Sequence, residues 1–168
     1  PVGNPIRSNS EKSYRLGFEI DATIALSKQL SIRPNLTLSE NKNVNLNVDG
    51  VNYGNKNIAY APNVIAGNIF IYQPNNKLQL SLMSKFVGDQ YLNNIELNEA
   101  KLPNYFVNDL NVSYQIYPKS IFKSIEFTGL CNNILSKKYS SNGYMYDIYT
   151  YYYPQAGRNL MCRVLFKF

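Results

Sequence analysis

The chain has no histidine, no tryptophan and only two cysteines. Without histidine it lacks the usual general base, the partner that activates a serine or cysteine nucleophile, and the commonest metal ligand. Cys131 and Cys162 stand far apart and show no metal-binding spacing. No enzyme, no resident cofactor and no metal site is therefore expected. Long apolar runs are missing too: nothing approaches the roughly 18 residues of a transmembrane helix, no signal-peptide pattern is visible, and mean hydropathy is −0.31. Acidic residues are few, 11 Asp and Glu against 17 Lys and Arg, giving a net charge of +6. A basic chain raises the question of nucleic acid. The cations are dispersed, at Lys12, Lys28, Lys42, Lys56, Lys77 and Lys101 for example, rather than gathered on one surface. No nucleic-acid partner is expected.

What the chain does have is tyrosine, 15 residues of it, and alternation. In the last ten residues Leu160, Cys162, Val164, Phe166 and Phe168 fall on one face, and Asn159, Met161, Arg163, Leu165 and Lys167 on the other. A period of two is that of a β-strand. The same pattern runs over 14–26, where Tyr14, Leu16, Phe18, Ile20, Ala22, Ile24 and Leu26 share a face, and over 30–39, 78–86 and 106–116. Pro34 cannot donate to a ladder and is expected to mark a bulge. Further strands are expected over 58–72, with its faces unresolved, and over 121–135. A low mean hydropathy is compatible with a membrane β-barrel, because lipid-facing and lumen-facing residues cancel in any window.

The connections distinguish a barrel from a soluble sandwich. They run short (27–29), long (40–57, with room for a hairpin), short (73–76), long (88–103), short (118–120) and long (136–157). Antiparallel neighbours place successive connections at opposite ends, so the short turns gather at one end and the long loops at the other. Outer-membrane barrels sort their loops in this way. The Pro- and Gly-containing stretch 1–12 reads as a loop on the long-loop side.

Seven strands are too few for a closed single-chain barrel, which takes an even number from eight upward. Open edges in lipid would cost several kcal/mol per unpaired backbone group. The inward faces carry charge at Arg15, Glu19, Arg33, Lys85, Asp109, Glu126 and Arg163, which suits a wide, wet lumen. The expected fold class is all-β: an antiparallel transmembrane β-barrel segment of about seven strands, the C-terminal third of a larger barrel.

Four stretches carry a family resemblance: Phe86-Val-Gly-Asp-Gln-Tyr-Leu-Asn-Asn94, Lys101-Leu-Pro-Asn-Tyr-Phe-Val-Asn-Asp-Leu110, Asn132-Asn-Ile-Leu-Ser-Lys-Lys-Tyr139 and Tyr153-Pro-Gln-Ala-Gly-Arg-Asn159. In this order they resemble the C-terminal strands of TonB-dependent outer-membrane receptors, particularly those of the Bacteroidetes type. The resemblance implies a 22-stranded barrel filled by an N-terminal plug, with residues 1–168 supplying its C-terminal strands and with plug and upstream strands outside this sequence. It implies import of a scarce nutrient such as an iron–siderophore complex, haem or cobalamin. It also implies an address in the outer membrane of a Gram-negative bacterium. The implied partners are outer-membrane lipid, the remaining strands and plug, TonB through an N-terminal segment that this sequence lacks, and the barrel-assembly machinery. Phe166 and Phe168 resemble the signal that this machinery reads, and they also suit an aromatic girdle. The alternative is a small eight-stranded outer-membrane adhesin or structural barrel; a soluble all-β binding domain is the third reading.

Candidate ligand contacts lie in the long loops. Residues 139–153 hold seven tyrosines, of which Tyr144, Tyr146, Tyr149, Tyr151 and Tyr152 are the main candidates. Tyrosine offers flat apolar area plus a hydroxyl at low entropy cost. Tyr91 and Asn93 are weaker candidates. Arg158 suits an anionic ligand or, preferably, a pair with an acid on a neighbouring strand. Cys131 and Cys162 share a face on adjacent strands and are expected to remain free thiols.

Overall fold

The computed structural model describes residues 12–119 and 121–168. The opening loop expected over 1–12 falls almost wholly outside them, and so does Ser120. Seven long strands lie side by side in chain order: Ser13–Asp21, Leu30–Asn43, Val64–Tyr72, Leu78–Val87, Tyr105–Ile116, Ser124–Asn132 and Asn159–Lys167. Every neighbour is antiparallel, so the sheet is a simple up-and-down meander. Its first and last strands form the two edges and are not paired with each other.

Register shows which face each side chain occupies. Ile20, Leu36, Ala66, Phe86 and Phe106 lie in one cross-strand row. Ile32, Phe70, Leu82, Leu110, Cys131 and Leu160 lie in another. The face they share is largely apolar, and between the two rows runs a polar one, Asn68, Ser84 and Asn108 beside Pro34, in which the Ser84 hydroxyl donates to Asn108 Oδ1 at 2.6 Å. On the other face sit Arg15, Glu19, Arg33, Lys85, Asp109, Glu126 and Arg163, as the alternation predicts. The third strand, whose faces its sequence leaves open, is settled by its neighbours. Val64, Ala66, Phe70 and Tyr72 face the apolar side, and Ile65, Ile69 and Ile71 the polar side. No second layer covers the apolar face among the described residues: Leu16, Phe18 and Leu160 are 69%, 58% and 75% exposed. A sandwich would bury these positions under a second sheet.

Pro34 makes no bulge. Asp21 pairs with Asn35, and Ile24 with Ile32, so the pairing keeps one register across the interruption. The missing N–H of Pro34 breaks the ladder on the side of the first strand, where Ala22 still donates to the Pro34 carbonyl at 3.1 Å. The ladder to the third strand runs through Pro34 unbroken. Cys131 and Cys162 are free. Cys162 pairs with Gly129 and Cys131 with Leu160, a diagonal placement of roughly 7–8 Å that a disulfide cannot span.

The sorting of connections holds. The second strand runs further than expected, through Asn43, so the first long connection is 44–63. It contains the expected hairpin, Asn47–Val48 paired with Val51–Asn52. Asp49 and Gly50 form its turn, with φ of 51° and 82°, the left-handed pair that two-residue hairpins need. At the opposite end Gln73 N donates to the Gln29 carbonyl at 2.7 Å, tying two short turns together.

Candidate functional site

The buried clusters lie at the long-loop end of the sheet. Val87, Tyr105 and Val107 form one on the polar face, with Tyr139 packed on it and the Tyr105 and Tyr139 ring centres 4.4 Å apart. Leu92, Ala100 and Leu102 form the other within the 88–104 connection, with Leu97 and Met145 packed against them.

Met145 belongs to an element that the sequence reading treats as loop. Ser140–Tyr146 and Tyr149–Pro154 form an antiparallel hairpin. Its turn is Asp147-Ile148, with Asp147 at a φ of 55°. The signal was present: tyrosines recur in steps of two at 144 and 146 and again at 149, 151 and 153, and tyrosine favours strands. One face of the hairpin is anchored. Met145 enters the Leu92 cluster. The Thr150 hydroxyl donates to the Glu99 carbonyl at 2.9 Å, and the Tyr152 hydroxyl lies 3.4 Å from the carbonyls of Glu99 and Lys101. The other face carries the pairs Tyr144–Tyr151 and Tyr146–Tyr149, with Tyr153 opposite Asn142. The Tyr144 and Tyr151 rings are stacked at 5.0 Å and 15°, and Tyr153 lies 5.8 Å from Tyr144.

So the structure brings Tyr144, Tyr146, Tyr149 and Tyr151 together on one face, adds Tyr153, and places Tyr152 on the reverse side as an anchor. Asn93 is structural: its Oδ1 accepts from Leu97 N at 3.2 Å and its amide approaches the Met145 sulfur at 3.3 Å. Tyr91 sits on a short strand under the Lys101 ammonium, 5.6 Å from its ring centre, and its carbonyl accepts from Tyr60 N at 2.8 Å. Arg158 lacks the carboxylate partner preferred for it among the described residues; its backbone N–H reaches the Ser136 hydroxyl at 3.5 Å.

Buried polar side chains lock the rim. Asn133, 4% exposed and at a φ of 48°, accepts from Lys137 N at 2.9 Å through its Oδ1. Its Nδ2 donates to the carbonyls of Lys137 and Ala156 at 2.9 and 3.1 Å, so one amide clamps both ends of the hairpin segment. Its backbone N–H donates to Asp109 on the wall at 2.6 Å. Asn94 accepts from Ala59 N at 2.8 Å and Glu96 accepts from Asn57 N, joining the first two long connections. Asp89 and Lys101 form an ion pair; the hydrogen bond from the ammonium holds the Asp89 carboxyl below its ordinary range, and its counterpart raises Lys101. Burial pushes the Tyr60 phenol up, with Tyr153 adding to it. Between the hairpin and the 88–104 connection lies a cleft of about 510 Å3 with Leu102, Tyr139, Tyr152 and Pro154 in its walls and Lys137 and Lys138 on its border. Neither lysine forms an ion pair among the described residues.

A one-layer meander with one largely apolar face, one charged face and interlocked long loops at one end is a wall, and solved proteins contain it. The siderophore receptor PiuA from Acinetobacter baumannii matches over 90% of this chain with a TM-score of 0.73 at 17% identity. The fold is that of a receptor-barrel wall. BauA, the ferric preacinetobactin receptor from Acinetobacter baumannii, matches over 92% with a TM-score of 0.70 at 15% identity. FyuA, the ferric yersiniabactin uptake receptor from Yersinia pestis, matches over 88% with a TM-score of 0.69 at 16% identity. The chain spans about one-fifth of the length of these receptors, 21% to 22%. No protein-family model matches the sequence, and no curated protein does.

Proposed function

We propose that this chain supplies C-terminal barrel strands of a TonB-dependent outer-membrane receptor. The receptor imports a scarce nutrient such as an iron–siderophore complex, haem or cobalamin. The observation that carries the reading is the largely apolar face: its apolar rows together reach all seven strands without a covering layer among the described residues, which suits lipid contact. The likeness to three ferric or siderophore receptors supports the cargo class. The four motif stretches between Phe86 and Asn159 support the Bacteroidetes branch. On this reading the two sheet edges pair with further strands of the same receptor, the charged face meets the plug, and TonB engages a segment elsewhere in the receptor. The long loops face outward, and Tyr144, Tyr146, Tyr149 and Tyr151 contact the cargo. Phe166 and Phe168 meet Phe122 in tilted ring pairs at 5.3 and 5.0 Å, a girdle on the short-turn side that the assembly machinery reads.

The test is the mass of the native polypeptide in an outer-membrane preparation, detected with an antibody against residues 139–157. A membrane band several times heavier than 19.2 kDa is expected, together with labelling of intact cells. A membrane band at 19.2 kDa sinks the receptor reading in favour of a small adhesin, and a soluble band sinks the barrel.

A further inference from the structure

We propose that Asn142-Gly143 is a self-modifying step in the 140–154 hairpin. Asn142 loses its side-chain amide as ammonia and becomes aspartate and isoaspartate, and the isoaspartate frees the hairpin from the 88–104 connection. The inference goes beyond the cargo reading above and does not depend on it.

Three observations meet at this step. It is the one Asn-Gly pair in the sequence, and glycine has no side chain to keep a neighbouring carbonyl carbon away from its nitrogen. Packing fixes the glycine, because a Cβ there would stand 2.5 Å from the Tyr151 carbonyl oxygen. The Gly143 nitrogen also stands outside the ladder. Counting from the closing pair Tyr146–Tyr149, Gly143 and Tyr152 form a pair that exchanges no backbone hydrogen bonds. The hairpin is a two-stranded sheet of its own, so the N–H turned away from Tyr152 meets no further strand. It donates instead to Oδ1 of Asn142 at 2.8 Å. That oxygen is bonded to Cγ, so the nitrogen already lies beside the carbon it must attack. The broad χ2 torsion of asparagine lets the amide turn its face to the nitrogen. Finally, Asn142 is exposed, so water and hydroxide reach it.

The chemistry balances without a cofactor. Hydroxide takes the Gly143 amide proton, the nitrogen bonds to Cγ, and the Cγ–Nδ2 bond breaks. The leaving nitrogen takes a proton from water and departs as ammonia, which restores the hydroxide. Water then opens the five-membered succinimide at Cγ to give aspartate, or at the main-chain carbonyl of residue 142 to give isoaspartate. One water is consumed, one ammonia is released and nothing is oxidised. Either product puts a carboxylate opposite Tyr153. Isoaspartate also inserts a methylene into the main chain between Asn142 and Met145. A strand alternates with a fixed period, so an added backbone atom displaces every later side chain against its partner. Met145 then leaves the cluster of Leu92, Ala100 and Leu102, and the Tyr144–Tyr151 stack parts.

The test incubates the full-length protein in detergent in heavy-oxygen water, at neutral and at mildly alkaline pH, and maps its peptides by mass spectrometry. Heavy oxygen is expected at residue 142, in aspartate and isoaspartate, and faster at the higher pH. The rate there should exceed that at Asn133, which precedes the branched Ile134, by about tenfold or more. As isoaspartate accumulates, limited proteolysis within 140–154 should quicken, while Asn142→Gln keeps its initial resistance. If Asn142→Gln is itself cut at once, the unreacted natural protein, separated by charge, serves as the reference. Heavy oxygen that enters residue 142 only when the chain is unfolded in denaturant overturns the inference. So does incorporation in the folded protein that leaves the hairpin as resistant as the reference.

Discussion

Asn133 shows how much a single residue can hold. Only a short polar side chain tolerates a left-handed backbone while reaching three backbone groups, and Asn133 does so from a buried position. Asn133→Ala should cost about 2–4 kcal/mol, combining lost hydrogen bonds with backbone strain. Proteolysis within 139–153 should quicken, and Asn133→Gly should recover only the strain part. The Asp89–Lys101 pair makes a smaller, pH-dependent contribution, because both side chains are more than 40% exposed. Asp89 is held below its ordinary pKa, so its stabilisation is complete above the ordinary carboxylate value of about 3.9 and is lost as pH falls through the lowered one. Amide exchange across 90–102, corrected for intrinsic rate, should quicken only below about pH 4. In Asp89→Asn it should already be fast at neutral pH and show no such step.

At the scale of elements the hairpin is the part whose conformation depends on a neighbour. Gly143 lies opposite Tyr152, and a Cβ there would stand 2.5 Å from the Tyr151 carbonyl oxygen and 2.8 Å from Leu92 Cδ1. A carbonyl cannot yield as a flexible side chain can, so Gly143→Ala should separate the hairpin strands or lift them from the 88–104 connection. Met145→Asp should do the same by placing a carboxylate among Leu92, Ala100 and Leu102, at about 2 kcal/mol or more. Limited proteolysis should cut both variants within 140–154 while the wall strands stay protected. If the wall strands open too, the hairpin and wall are one cooperative unit.

At the scale of the whole molecule the two faces of the wall predict opposite responses to charge. Leu82 and Met83 are adjacent in sequence, but Leu82 lies in the apolar row with Phe70 and Leu110, and Met83 opposite Asp109 on the charged face. Leu82→Arg should cost about 2–4 kcal/mol at mid-membrane and reduce the amount of assembled, heat-modifiable protein in the outer membrane. Met83→Arg should assemble normally. Equal tolerance of both would mean that the apolar face does not meet lipid.

The sequence alone determined the strands, because alternation is local: each residue's polarity reports its own face. It also determined the sorting of short and long connections, since antiparallel order needs only counting. It left the third strand's faces open because isoleucines at 65, 69 and 71 sit among apolar neighbours of both parities; the register with Leu36 and Phe86 settled them. Pro34 reads locally as a defect, yet the pairing passes it because the lost N–H touches only one neighbour. The tyrosine-rich 139–153 stretch reads as a loop, and only packing of Met145 and Tyr152 on a distant connection divides its residues into anchors and a free face. Polarity is written residue by residue, whereas which of two similar faces is covered depends on what the rest of the chain brings beside it.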